Sequence, residues 1–339
     1  MLISSSQTLI VNPLLGKSIT AICFFLIVFE AGFLAYLIAG STKKKPKNLL
    51  LSRMSLALCI LVFFLISLGG LVRNAGAGLS CPDWPLCFGR VVPPMDFRVF
   101  LEWFHRLIAG GISLLLLGIS FFVFSNKALR KQYGLHCGLA VLLLAAQIVL
   151  GGLTVLGLLS SKWVVSHLAF GLAFFSTILY LAMRFQQEKV SNPSSKIRGD
   201  LTIATSVGAL VYFQAILGGL VSSNYAGLAC PDFPTCFGQW IPEFSGVSGS
   251  IVLQMVHRAG ALITTLSVVS FVIYIWRRFK ATKIKVILGV VCFLLIAQLC
   301  LGIGSVLWGL PLPMSVAHLG TATTMMALFW MVAYEIRCS

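Results

Sequence analysis

Cys81-Pro-Asp-Trp-Pro-Leu-Cys87 is followed by Glu102-Trp-Phe-His105, and Cys230-Pro-Asp-Phe-Pro-Thr-Cys236 is followed by Gln254-Met-Val-His257. The two cysteine pairs lie 149 positions apart, and the two histidines lie 152 positions apart. Such agreement in both residue type and spacing indicates that the chain contains a tandem duplication.

Further landmarks fall into the same register. The pair Gly69-Gly70 recurs 149 positions later as Gly218-Gly219, and an offset of 151 links segments around Gln147 with Gln298 and around His167 with His318. Each block holds four apolar segments, an even number, so both blocks run the same way through a membrane. We therefore predict two tandem four-helix bundles related by a pseudo-twofold axis along the membrane normal.

The composition is that of a membrane protein. Of the 339 residues, 58% are hydrophobic and 10% are charged, and the mean hydropathy is +0.98. This predicts an all-α polytopic membrane protein with nine spanning helices, the first of them additional to the two blocks. The predicted spans are 18–40, 54–73, 98–124, 135–158, 163–184, 201–222, 250–276, 284–308 and 314–334. The predicted domains are an N-terminal extension at 1–50, a first half at 54–186 and a second half at 200–336.

The formal charge of +16 is concentrated between the apolar segments. Basic clusters occur at Lys43–Lys47, Arg130-Lys131, Lys196 with Arg198, and Arg277–Lys285. By the positive-inside rule these clusters are cytoplasmic, which predicts a multi-pass protein of the inner (cytoplasmic) membrane and argues against nucleic-acid binding. The cysteine pairs then face the oxidising, extracytoplasmic side.

The first apolar segment is interpreted as a retained helix. A cleaved signal peptide would carry its basic residues before the apolar stretch, whereas here the Lys43–Lys47 cluster follows it. Glu30, in the middle of this segment, is interpreted as a carboxyl group that stays protonated or bonds to a neighbouring helix.

The four matched histidines are His105, His167, His257 and His318. In each half they open the second and fourth helices, so both imidazoles should lie at one depth, roughly 8–10 Å below the outer surface at about 1.5 Å per residue. Two imidazoles at matching depth can ligate one haem iron, which predicts two haem sites. A hydrogen-bonded core role and a zinc site are weaker alternatives, and His136, which has no repeat partner, is interpreted as structural.

The two halves differ beside the first histidine. Glu102 and His105 project from one helical face, but the second half has Gln254 in place of Glu102. A carboxylate beside a haem can move protons, whereas an amide cannot, so the first half is interpreted as the chemically active one. Arg106 and Arg258 are candidates for contacts with haem propionates, or for snorkelling at helix ends. The pairs Cys81/Cys87 and Cys230/Cys236 are interpreted as either structural disulfides or redox-active thiols.

The combination of Gly69–Cys87, Glu102-x-x-His105 and four histidines at helix ends resembles the haem A synthase family over about residues 54–334. This resemblance implies oxidation of the methyl substituent of haem O to a formyl group, through a hydroxylated intermediate. It implies that Glu102 is catalytic, that His105 and His167 flank the substrate haem, and that His257 and His318 ligate a haem B cofactor. The implied partners are a haem O synthase and a membrane electron donor, and a homo-oligomer is compatible with the family.

Two other functions compete with this interpretation. A di-haem b-type electron carrier would need haems near both membrane surfaces, whereas all four histidines lie near one. A membrane thiol oxidoreductase would use the cysteine pairs but would leave the histidines and Glu102 without a role.

Overall fold

A computed structural model describes residues 13–39, 48–186, 194–242 and 248–338. Within these ranges, nine helices are long and apolar enough to cross a membrane, which confirms the predicted all-α membrane fold. In chain order they are α1 (Pro13–Ala39), α2 (Leu49–Asn74), α3 (Phe97–Ser125), α4 (Lys127–Leu156), α5 (Ser161–Gln186), α6 (Ser195–Ser223), α7 (Gly249–Arg278), α8 (Thr282–Leu307) and α9 (Leu312–Cys338).

Several helices extend beyond the apolar spans that predicted them. Helix α4 begins eight residues before the predicted 135, because the Asn126 side chain caps it by accepting from the N–H groups of Ala128 and Leu129. Ser194 similarly caps α6. Basic residues predicted to lie in loops, such as Arg130 and Lys196, are therefore in first helical turns, since hydropathy marks the hydrocarbon layer and not the helix end. The Lys43–Lys47 cluster lies outside the described residues.

Helices α2 to α5 pack as a closed ring, in which each contacts its two neighbours and α2 contacts α5. Helices α6 to α9 form a second ring in the same way. In both rings the second and fourth helices stand diagonally opposite each other. These are α3 and α5 in the first ring and α7 and α9 in the second, which are the helices that carry the four matched histidines.

The two rings meet where α2 and α5 pack against α9 and α6. The contacts are matched: a Cβ on Gly70 would lie 2.8 Å from Leu319 Cδ2, and one on Gly219 would lie 2.5 Å from Leu168 Cδ2. Both glycines therefore allow a leucine of the other half to approach the helix backbone.

Helix α1 lies outside both rings and packs mainly against α9 and α2. Glu30 is buried there and accepts hydrogen bonds from the hydroxyl groups of Thr321 (2.7 Å) and Thr324 (3.1 Å) on α9. The interpretation that Glu30 bonds to a neighbouring helix is confirmed.

Candidate functional site

Each of the four matched histidines packs against a glycine on the preceding helix. A Cβ built on Gly69 would lie 3.2 Å from the Cε1 atom of His105, and one on Gly218 would lie 3.2 Å from that of His257. The same relation holds between Gly151 and His167 (3.4 Å) and between Gly302 and His318 (3.0 Å). A Cβ at Gly69, Gly218 or Gly302 would make the imidazole ring shift, whereas one at Gly151 would be in ordinary contact with His167.

Three of these glycines are preceded, one helical turn earlier, by a glutamine that contacts the histidine. Gln214 Nε2 lies 3.1 Å from His257 Nδ1 and donates to the His257 carbonyl oxygen at 2.9 Å. Gln147 donates to the His167 carbonyl oxygen at 3.1 Å, and Gln298 Nε2 lies 3.4 Å from His318 Nε2. The amides thus hold the backbone or ring of three of the four histidines.

The residues present are compatible with haem ligation. All four imidazoles keep part of their surface accessible although they lie within membrane-spanning helices. The Nδ1 atoms of His105, His167 and His318 are buried, and no described group bonds to them. Burying an imidazole in a membrane is costly, and a bond from the opposite ring nitrogen, Nε2, to a haem iron would offset that cost. Haem ligation by these residues stays a prediction.

Glu102 is buried and bonded to the first cysteine loop. Its Oε2 accepts from the Cys81 backbone N–H at 2.8 Å, and its Oε1 accepts from Arg106 Nη2 at 2.6 Å. The amide of Gln254, at the equivalent position, donates to the Gly227 carbonyl oxygen at 3.1 Å, and its Oε1 is buried with no bonding group among the described residues. The two halves therefore differ in contacts as well as in residue type.

Both arginines that follow the histidines bind the cysteine loops. Arg106 Nη1 donates to the carbonyl oxygens of Asp83 (2.8 Å) and Leu86 (2.6 Å). Arg258 donates to the carbonyl oxygens of Thr235 (2.8 Å) and Cys230 (2.9 Å). These contacts fix the loops above the helix ends, and propionate binding by either arginine stays a prediction.

Both predicted cysteine pairs form disulfides, with Cα atoms 4.8 Å apart in each. A redox role for these two disulfides stays a prediction. Each loop also contains a carboxylate that accepts from two backbone N–H groups: Asp83 from Phe88 and Gly89, and Asp232 from Phe237 and Gly238.

These hydrogen bonds stabilise the charged form of both loop carboxylates. The backbone N–H of Gly89 contributes most to lowering the pKa of Asp83. The hydroxyl group of Thr235, followed by the backbone N–H of Gly238, lowers the pKa of Asp232 to about 2. Both carboxylates are therefore ionised at neutral pH.

The first loop also reaches the glycines of α4. A Cβ on Gly152, next to the glycine that faces His167, would lie 3.1 Å from Trp84 Cδ2. The first cysteine loop thus contacts Glu102 on α3 and the neighbourhood of His167. Phe233, at the equivalent position, lies against Arg258, with 5.7 Å between guanidinium and ring centroid. His136 lies apart from all of these groups and packs against Tyr180, with ring centroids 4.8 Å apart.

Residues 52–330 match COX15-CtaA, the family of cytochrome oxidase assembly proteins. The chain belongs to this family. Helix α1 lies outside the region shared with the family. Among similar proteins, the heme A synthase of Shewanella oneidensis is 32% identical over 322 residues, covering 84% of this chain and 95% of that relative. The heme A synthase of Shouchella clausii is 28% identical, covering 84% and 96% of the two chains.

Sequence reasoning missed the roles of the glycines and glutamines that surround the histidines. The signal was present, because Gly69 and Gly218, and likewise Gln147 and Gln298, recur in register. Without the helix packing, however, a small residue in a membrane helix is equally explained by helix contact alone. The contacts of Arg106 with the first loop were also missed, because no repeat spacing reveals which way a guanidinium points.

Proposed function

We propose that this protein is a haem A synthase, which oxidises the methyl substituent of haem O to a formyl group for use in terminal oxidases. The family membership and the relatives that carry this name along nearly their whole length support the proposal. The observation that carries it is the buried Glu102 carboxylate, one turn before His105, in a chain whose second half has an amide at the same position.

The two halves have different roles in this proposal. His105 and His167 hold the substrate haem in the first half, and His257 and His318 hold a haem B cofactor in the second. The diagonal placement of the histidine-bearing helices in each ring supports both pairings. His257 and His318 would hold the haem B, which would supply one-electron chemistry through its iron.

Glu102 is the proposed acid–base group of the first half. One of its oxygens accepts from the Cys81 N–H and the other from Arg106, so both are oriented before substrate binds. A carboxylate held in this way can accept a proton on one oxygen while the other keeps its hydrogen bond. Arg106 also binds loop carbonyls, so it keeps the carboxylate and the first cysteine loop together.

The proposal extends to the surroundings of the protein. The chain has nine helices capable of crossing a membrane in its described part, and we place the cysteine loops on the extracytoplasmic side of the inner membrane. The apolar haem O would be received from a haem O synthase, and electrons would be supplied by a donor in the same membrane.

The test is co-expression with a haem O synthase in a host that lacks haem A, followed by haem extraction, chromatography and mass spectrometry. We expect haem A or its hydroxymethyl intermediate from the wild-type chain, and neither from Glu102→Ala. Unmodified haem O and haem B from a folded, haem-loaded wild-type protein would contradict the proposal and favour a di-haem electron carrier.

A further inference from the structure

Three of the four histidine-facing glycines are preceded by a glutamine, and the fourth is not. Gln147, Gln214 and Gln298 each lie four residues before such a glycine, but Leu65 lies four residues before Gly69. Residues four apart share one helix face, so the leucine occupies the position from which a glutamine would contact His105.

In the second half, the room for the glutamine is also built into the sequence. A Cβ on Gly260, one turn after His257, would lie 2.4 Å from Gln214 Oε1, so any larger residue at 260 would push the amide out of this position. The residue equivalent to Gly260 in the first half is Ile108. The amide and the space for it therefore occur together beside His257, and both are replaced by aliphatic side chains beside His105.

The consequence is a difference in what holds the imidazole rings. Gln214 Nε2 lies 3.1 Å from His257 Nδ1, whereas the Nδ1 atom of His105 is buried without a bonding group among the described residues. In the part of the first half that the structure describes, Gln147 bonds to the His167 backbone and no group bonds to His167 Nδ1. No described group bonds to His318 Nδ1 either, so the contrast at this nitrogen is confined to His257 and His105.

We propose that Gln214 makes the second-half site retain its haem, and that Leu65 with Ile108 makes the first-half site release its haem. A partner on the ring nitrogen that does not bind iron fixes the orientation of a ligating imidazole, and removing such a partner typically costs about 10–100-fold in metal affinity. An imidazole bound to iron through Nε2 carries its proton on Nδ1, and a half-turn of the Gln214 terminal bond presents the amide oxygen to that proton in exchange for the bond to the His257 carbonyl oxygen. Gln214 is thus a positioning residue for His257.

This inference rests on the proposed function, in which one site must exchange substrate for product while the other keeps a cofactor. A releasing site benefits from an imidazole that can turn away from iron, and no described group bonds to His105 Nδ1 to prevent this. A cofactor site benefits from an imidazole whose ring is held in place by a hydrogen bond.

The test measures haem release from the purified full-length protein to an excess of apomyoglobin. Two backgrounds isolate the sites: His105→Ala/His167→Ala reports on the second half, and His257→Ala/His318→Ala reports on the first. In the former, we expect Gln214→Leu to accelerate haem release by about tenfold or more. In the latter, we expect Leu65→Gln/Ile108→Gly to slow it by a similar factor.

Two controls separate positioning from a general loss of structure. Gln147→Leu removes an amide that, among the described residues, bonds to backbone and not to an imidazole ring, so we expect it to accelerate haem release in the first-half background less than Gln214→Leu does in its own. Gln214→Glu keeps an oxygen acceptor for the ring N–H, so we expect it to restore slow release and to shift the low-spin electron paramagnetic resonance signal of the haem.

Unchanged release from Gln214→Leu, or equal acceleration by Gln147→Leu and Gln214→Leu in their own backgrounds, would overturn the inference. Because release is measured without turnover, this outcome is independent of haem A formation. A wild-type chain that makes no haem A, yet releases haem as described, would contradict the proposed function and leave the role of Gln214 in place.

Discussion

The carboxylate of Glu102 accepts a hydrogen bond from the backbone N–H of Cys81 at 2.8 Å. This bond joins the helix that carries His105 to the first disulfide loop, 21 residues earlier in the chain. In the second half, Gln254 bonds to Gly227 instead of to Cys230. The direct link between this helix position and the first cysteine of the loop is therefore a feature of the first half alone.

Replacing Glu102 by glutamine should abolish haem A formation while leaving haem binding in place. The amide oxygen can still accept from the Cys81 N–H, but the side chain can no longer take up a proton. Loss of an acid–base group costs about 10²–10⁴-fold in rate, and product measured by mass spectrometry should fall accordingly. Gln254→Ala is the matched control, and an equal fall in both variants would contradict a special role for Glu102.

Removing the first disulfide should impair the reaction more than removing the second. Cys81→Ser/Cys87→Ser loosens the loop that donates to Glu102, and a displacement of about 1 Å can cost up to about 10²-fold in rate. Cys230→Ser/Cys236→Ser leaves the contacts of Glu102 intact. We expect product yield per bound haem to be lower in the first variant. Equal yields would indicate that both disulfides have a structural role alone.

Alanine at the histidine-facing glycines should lower haem occupancy one half at a time. A Cβ on Gly69 or Gly218 would lie 3.2 Å from an imidazole carbon, so the ring must shift. We expect Gly69→Ala to reduce the substrate-type haem and Gly218→Ala to reduce haem B, as measured by haem extraction. Gly118→Ala is the control, because a Cβ there meets nothing within 4 Å. A uniform loss of both haems from either variant would indicate general misfolding instead.

Helix α1 should contribute to stability through Glu30 and not to catalysis. Glu30→Leu leaves the hydroxyl groups of Thr321 and Thr324 without their acceptor, which costs on the order of 1–3 kcal/mol. We expect a lower midpoint of thermal unfolding in detergent, with Glu30→Gln closer to wild type. Normal thermal stability combined with lost haem A formation would instead place α1 in the reaction.

The turn that Asp232 stabilises in the second cysteine loop should stay folded down to strongly acidic pH. Hydrogen bonding in the folded state lowers the pKa of Asp232 to about 2. The stabilisation of the turn by this carboxylate is therefore fully present above pH 3.8, the ordinary pKa of an aspartate, and is lost as the pH falls through 2. Hydrogen exchange should show protected Phe237 and Gly238 amides at pH 6, and lost protection in Asp232→Asn. The amides of Phe88 and Gly89 serve as the internal control, and unchanged exchange in the variant would contradict the assignment.

The duplication made most of the fold readable from sequence. The spacing of His105 and His257, together with the apolar segments, predicted the number of helices and which helices carry the histidines. Helix ends such as Lys127 were less accessible, because a capping side chain and not hydropathy determines where the helix begins. The Cys81–Glu102 bond was beyond reach, because it depends on how a loop folds back onto its helix.

Leu65 stands in the first half where the second half has Gln214, and the meaning of this difference could not be predicted from sequence alone. The difference is visible as soon as the two halves are aligned, yet its meaning depends on Gly260 leaving room for the amide beside His257. A leucine in a membrane helix is unremarkable by composition, so only the packing reveals what it replaces.

The proposed roles of the two halves are tested by identifying the haem that each half holds. The protein, co-expressed with a haem O synthase, would be purified as wild type, as His105→Ala/His167→Ala and as His257→Ala/His318→Ala, and its extracted haems analysed by mass spectrometry. We expect the first variant to retain haem B and to lose haem O and its oxidised products, and the second to retain haem O and to lose haem B. Loss of the same haem from both variants, or haem B in both halves of the wild type, would contradict these roles.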